Sequence, residues 1–552
     1  MRYLDRLLPL FDFAWMSRST RQLPRVAMLT CMFVASIAPG ARWATAQNQF
    51  GEVHFPISCD VGVQKTFDLA LAMLHAFSFP AAAKTFEAVS REDPDCAMAY
   101  WGLAATAVGS LYGGRPGPMA LQGEIAVQKA KAIGGKTARE RDYIVSIEAF
   151  YRGAAEIEYT TRLRAYVNAL EQLHKRYPED HEAEIFYAYA LSALGSPTDQ
   201  TFAYQLKGAA ILEKLLEELP NHTGVLHYLL HAYDNSVYAH RGLAAARRLA
   251  EVAPSSPHAI QFPAHIFVRL GLWQDSIVTN RAGAAVDDLF FKPHAMDFLV
   301  HSLLQTGQDA AAMRVVDEAA TTTVVPHILD AYAMAAMPAR YAIERRRWSE
   351  AASLALPHSE FAWNLFPHAE ATLVFARALG AARSGRIDAA RKDLDRLREL
   401  RANLINADSE GSWQEYWVSQ IQIHHQMVAA WIAYTQGRRD EAVQMLRAAA
   451  DREDSTEMDP VTPGHAISAR QLLGDLLLEI HEPAQALQVF EAALKREPGR
   501  FWTLSGAAQA ADDAGDSAKT KIYYSQLVAQ TEHADSDRGV LKKARAFLAG
   551  QS

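Results

Sequence analysis

The sequence predicts an all-α protein made of stacked helix pairs. Three observations carry this. No stretch alternates apolar and polar residues for long enough to read as a strand. Half of the 552 residues are apolar, with Ala and Leu heavily used, which suits a helical globular chain. Small and apolar residues recur with a period in the mid-thirties, the mark of repeated helix pairs. A chain of this length also exceeds what one compact core organises, so an array is expected.

The C-terminal region shows the repeat most clearly. In Leu473-Gly474, Leu477, Ala486, Phe490, Ala493 and Pro498, small residues stand where two helices must approach closely. An aromatic residue wedges between them, and a proline ends the second helix. This pattern resembles the tetratricopeptide repeat (TPR), a 34-residue helix–turn–helix unit. A second unit follows with Ala508, Gly515 and Tyr524. The same register recurs at Leu69-Ala70, Ala82, Phe86 and Pro94, and Tyr100, Leu103 and Ala104 open the next repeat. A loop rich in Gly and Pro, 113–118, interrupts that repeat. Ala378, Gly385, Ala390 and Leu394 fit a further unit, as do Ala430, Gly437, Ala442, Leu446 and Ala449. The resemblance implies a right-handed α-α superhelix. Phrases such as Asp93-Pro94-Asp95-Cys96 and Phe262-Pro263-Ala264-His265-Ile266 are also similar to exported bacterial TPR proteins, a group without an agreed activity.

Breaks in helical pattern divide the array. Residues 47–195 form an N-terminal array, 196–325 a central histidine-lined set, 326–453 further repeats and 464–552 a C-terminal pair. Residues 1–46 read as a signal peptide: arginines up to Arg25 precede the apolar run 26–38, and Ala44-Thr45-Ala46 is a small-x-small cleavage site. The alternative is a retained N-terminal anchor, in which case the protein associates with a membrane. The expected location is outside the cytoplasm, in the periplasm. Removing 1–46, with six Arg and two Asp, takes the formal net charge from −8 to −12. That acidity argues against nucleic acid as a partner. Only Cys59 and Cys96 then remain, each just ahead of the first helix of adjacent repeats, and a disulfide between them is expected in an oxidising compartment.

The candidate site lies in the central repeats. His231, His265 and His301 follow one another at 34 and 36 residues, and the row His227, Gln261, Asp297 keeps the same intervals. In a TPR, as the resemblance implies, the first helix lines the concave face through its positions 2, 5, 9, 12 and 13. His258 and His294 then fall at position 2. His227, Gln261 and Asp297 fall at 5, with His231, His265, His301 and Arg340 at 9. Asn235, Arg269 and Gln305 fall at 13. All can hydrogen-bond or ligate.

The leading expectation is a scaffold that binds a protein or peptide in this polar groove. The second is a transition-metal site for Zn, Cu or Ni, formed by His231, His265 and either His227 or Asp297, since imidazole and carboxylate suit such ions. Asn280, at the place of the aromatic wedge, is expected to orient His265 from behind. An enzyme comes third. No nucleophile accompanies these histidines, and HExxH, GxxxxGK[ST], GxSxG and CxxCH are all absent. Trp413, Tyr416, Trp417, His424 and His425 read as helix-pair core or as a second aromatic pocket.

Overall fold

The computed structural model describes residues 49–550 apart from 114–118, 155, 287, 289–290 and 408–411. The expected targeting segment and most of the Gly/Pro loop lie outside the described residues. Those described form helices and their connections, with no strand.

The helices come in consecutive pairs. They are α1 (Gln64–His75) with α2 (Phe79–Glu92), α3 (Ala97–Val108) with α4 (Ala120–Ile133), and α5 (Ala138–Tyr151) with α6 (Tyr159–Arg176). Next come α7 (His181–Ser192) with α8 (Ala203–Glu218) and α9 (Thr223–Tyr233) with α10 (Ala239–Val252). The broken helix α11 (Pro257–Gln261) and α12 (Pro263–Arg269) pairs with α13 (Trp273–Ala285), and α14 (Lys292–Gln305) with α15 (Asp309–Ala319). Beyond them lie α16 (Ile328–Glu344) with the short α17 (Trp348–Ala351), α18 (Pro367–Arg383) with α19 (Ile387–Ile405), and α20 (Ser412–Thr435) with α21 (Arg439–Asp454). The last pairs are α22 (Ala469–Glu479) with α23 (Pro483–Arg496) and α24 (Phe501–Asp513) with α25 (Ser517–Gln530). A final helix, α26 (Gly539–Gly550), covers the end. None of the described helices is long and apolar enough to cross a membrane.

The pairing follows from local chemistry. Gly271, Gly307, Gly385, Gly437 and Gly515 sit in the turns between partners with φ of 67–81°, a left-handed conformation that glycine adopts without strain. The aromatic wedge is literal. A Cβ added at Gly102 would lie 2.4 Å from the Phe86 ring, and one at Gly474 would lie 2.6 Å from Phe490. Only glycine lets those backbones reach the ring. The first helix of a pair is the inner one: in α14 every residue from Pro293 to Gln305 is buried, whereas in α15 burial is confined to Asp309, Ala312 and Ala319. Such an all-round buried helix belongs to the middle of a large protein. Cys59 and Cys96 are joined in a disulfide, tying the lead-in of α1 to that of α3.

The array turns back on itself. Trp273 donates from Nε1 to the Gly499 carbonyl at 2.9 Å, and the Phe501 amide donates to Gln305 Oε1 at 2.9 Å. Arg500 reaches Glu344 at 2.8 Å, and Arg538 pairs with Asp309 at 2.6 Å. The irregular connection 455–468 runs over the inner face: Ser236 donates to Glu457, and Arg340 donates to the Gly464 carbonyl at 2.6 Å. The inner surface predicted to be an open groove is therefore covered by the chain itself.

Candidate metal centre

The inner ends of α1, α9, α11 and α12 bring histidines together. His227 and His231 are four residues apart on α9 and so share one face. His258 is carried by α11. Pro263 lacks an amide proton, and the helix breaks at Phe262; that break sets the Phe262 ring among the imidazoles. His227 Nε2 lies 2.9 Å from His258 Nε2 and 3.1 Å from His231 Nε2, and one ligand atom from each of the three falls within 4.8 Å of the others. Tetrahedral zinc with Zn–N bonds of ~2.05 Å separates its nitrogens by ~3.3 Å, so these rings need only small rotations to share an ion.

The ring of His227 is fixed from behind. Its Nδ1 lies 2.6 Å from the His75 carbonyl oxygen, which can only accept. Nδ1 therefore carries the proton and Nε2 presents a lone pair to its two neighbours. This is how metal-ligating histidines are ordinarily held. Burial lowers His227 to about 3 and carries His231 and His258 well below the usual histidine range, with neighbouring histidines adding to the effect. All three are neutral at pH 7, as ligation requires. His258 Nδ1 is buried without a hydrogen-bond partner.

Aromatic rings enclose the cluster. Phe77 stands 4.4 Å from His227 and 5.3 Å from His258, Tyr112 stacks on His231 at 4.2 Å, and Phe262 lies 4.0 Å from His231. Phe77 occupies the α1–α2 turn with φ 54°, where five later pairs use glycine and two use Arg346 and His481. A bulky residue held in the left-handed region is strained, and here the strain sets an aromatic wall against the imidazoles.

The other predicted residues go elsewhere. His265 Nε2 faces His294 Nε2 at 3.2 Å, and its Nδ1 meets Asp234 at 3.0 Å. Asp234 also accepts from Arg269 at 2.9 Å, and despite burial these partners hold its carboxyl far below the usual range. Asp297 does not join the histidines expected to share a metal with it, because Arg340 takes both its oxygens at 3.1 and 3.2 Å. Arg340 is consequently no free cation for a ligand carboxylate; it is 1% exposed. His301 is buried at 3.4 Å from Arg340. Gln305 donates to Glu344, and Asn235 receives the amides of Val237 and Tyr238. Asn280 is buried as expected, but its partners are Gln261 and Ser276, not His265, because Gln261 lies between the two. Tyr416 and Trp417 are core residues, and His424 stacks on Phe375.

A second cluster was missed from sequence. Glu182 bridges His75 and His222, each Nε2 at 2.9 Å from a carboxylate oxygen. It is less suited to a metal. His222 Nδ1 caps α9 by accepting the Val225 amide at 3.3 Å, and Tyr228 faces His75 Nδ1 at 3.0 Å. With Nδ1 accepting, Nε2 of His222 must donate to Glu182, leaving no lone pair for an ion. This triad is a hydrogen-bonded brace, and His75 links it to the metal candidate through its carbonyl. His75 and Glu182 sit in different repeats, and no spacing in the chain ties them together.

The helix pairs, wedges and turn glycines make the chain a TPR-like α-solenoid with a buried histidine layer. No family model matches it, and no curated protein matches it. Among solved structures it is similar to the human IFIT1 dimer with m7Gppp-AAAA, at 12% identity over 78% of this chain and 90% of that one, with a TM-score of 0.39. Yeast Tom70 is 11% identical over 88% of this chain and 89% of its own, with a TM-score of 0.29. These scores carry no argument about what the chain binds.

Proposed function

We propose that this protein binds a transition-metal ion through His227, His231 and His258. One observation carries the reading: three imidazole Nε2 atoms converge, with the central ring fixed by its Nδ1–H on the His75 carbonyl. Against the expectation drawn from the sequence, His258 replaces His265 and Asp297 as a ligand. Metal analysis of protein purified without a histidine tag tests it, beside the His231→Ala/His258→Ala variant. About one ion per chain is expected in the first and none in the second; equal metal content in both would refute the assignment.

A protein- or peptide-binding scaffold is the second reading. Of its proposed groove residues, Arg269 and Arg340 are bonded to 455–468, but an open cleft of about 1190 Å³ lies at the N-terminal repeats, lined by His54, Arg139, Arg176, Tyr177, Asp180 and Glu182 among others. Its size suits a peptide. A partner captured equally by the wild type and by Arg176→Glu would count against that cleft.

A further inference from the structure

We propose that the ion held by His227, His231 and His258 is Cu(I), bound by three imidazole nitrogens with no carboxylate. The proposal rests on the metal-binding reading above and narrows it to one ion.

Charge decides first. The groups acting electrostatically on the three rings are other histidines, His75, His265 and His294. Asp234, three residues beyond His231, has its oxygens committed to His265 and Arg269. A dication would thus enter with both charges uncompensated. The cost of burying an ion rises with the square of its charge, so Cu(I) costs about a quarter of what Zn(II) does in the same surroundings.

The walls point the same way. Phe77, Phe262 and Tyr112 contact the rings on one side, and Phe291 lies 5.0 Å from His258 on another. Zn(II) with three protein ligands completes its shell with water, and a water needs two or more polar partners. The rings of Phe77, Phe262 and Phe291 offer none, and of these walls Tyr112 alone carries a polar atom, its hydroxyl. Cu(I) is content with three ligands and needs no such water.

Geometry agrees. Two nitrogen–nitrogen edges are 2.9 and 3.1 Å, and the third is within 4.8 Å. This uneven triangle fits a flat or T-shaped three-coordinate ion, for which bonds of ~2.0 Å give edges averaging ~3.5 Å. His231 is the least buried of the three and marks where the ion enters.

The test is an anaerobic titration of the full chain with Cu(I) buffered by bicinchoninate, repeated with equimolar Zn(II) present. Expected is one Cu(I) per chain, retained against Zn(II), with an X-ray absorption spectrum of three nitrogen scatterers. His258→Ala and the milder His231→Gln should each weaken Cu(I) binding by about 100-fold, with circular dichroism confirming that both remain helical. If Zn(II) displaces Cu(I), the copper assignment falls and the metal reading stands. If neither ion binds the folded chain, both fall.

Discussion

Acid should unfold the metal-free protein under conditions mild for most proteins. His227 titrates at about 3 in the folded chain because burial disfavours its charge, against about 6.5 when unfolded. Between those values the unfolded state binds a proton that the folded state refuses. Stability therefore falls as pH falls below about 6.5, at up to ~1.4 kcal/mol per pH unit. From pH 7 to 5 that is about 2 kcal/mol for His227 alone. His231, His258, His294 and His301 are also held well below their usual range by burial. Their contributions carry the same sign, so together they make the loss steeper than His227 alone does. Buried carboxyls oppose it: burial raises Asp68, Asp297 and Glu453. Burial raises the Asp330 carboxyl to about 7, so it takes up a proton in the folded state over the same window and returns roughly 2 kcal/mol. With His424 also held at about 3 by burial, the histidines outweigh these carboxyls and acidification is a net loss of stability. Thermal melts followed by circular dichroism at pH 8, 7, 6 and 5, at fixed ionic strength, measure it. A steep drop in midpoint below pH 6.5 is expected, shallower in His258→Phe. Equal midpoints at pH 7 and 5 would show that the rings are not buried neutral.

Three further outcomes follow from packing. Reducing Cys59–Cys96, which are 37 residues apart, should loosen the first two repeats by about 4 kcal/mol, read as faster amide exchange in α1 to α3 and unchanged exchange in α22 to α25. Gly474→Ala drives a Cβ to 2.6 Å from the Phe490 ring and should cost about 1–3 kcal/mol in a denaturant melt, whereas Gly539→Ala, with nothing within 4 Å, should cost little. Arg500→Ala strands Glu344, whose side chain is 2% exposed, and should cost about 3–5 kcal/mol; limited proteolysis should then release the C-terminal repeats first, and an unchanged digestion pattern would contradict the folding-back of the array.

The helix pairs were legible in the sequence because each depends on local rules. A glycine serves five of the tight turns, a small residue admits Phe86 or Phe490, and an apolar stripe follows the helical period. The histidine register was legible too, since spacings of 34 and 36 residues carry it. What the register could not show is which neighbour each ring meets. His258, at position 2, lies beside His227 because Pro263 breaks its helix at Phe262, and that break turns α11 away from the straight repeat. Asp297 is lost to Arg340, a pairing across 43 residues. The covering of the groove was invisible for the same reason: it is made by 455–468 and Arg500, which no periodicity links to α12 or α14.

Two local anomalies meet at one place, and together they argue for function over architecture. Phe77 is a bulky residue in a left-handed turn conformation that five later pairs give to glycine and two others to Arg346 and His481. His258 Nδ1 is buried without a partner. Each costs stability, and an apolar ring at position 258 would remove the second cost at similar volume. A fold selected for stability alone has no reason to keep either. The Phe77 and His258 rings both lie against His227, whose Nε2 lone pair is directed by a bond on the far side of its ring. Local rules broken together around an oriented lone pair are what a binding site requires. Phe77→Gly separates the two explanations. If Phe77 merely fills space, the variant loses stability and binds metal as before. If it walls the ion from water, the turn relaxes, stability changes little, and metal is released at least about 10-fold faster.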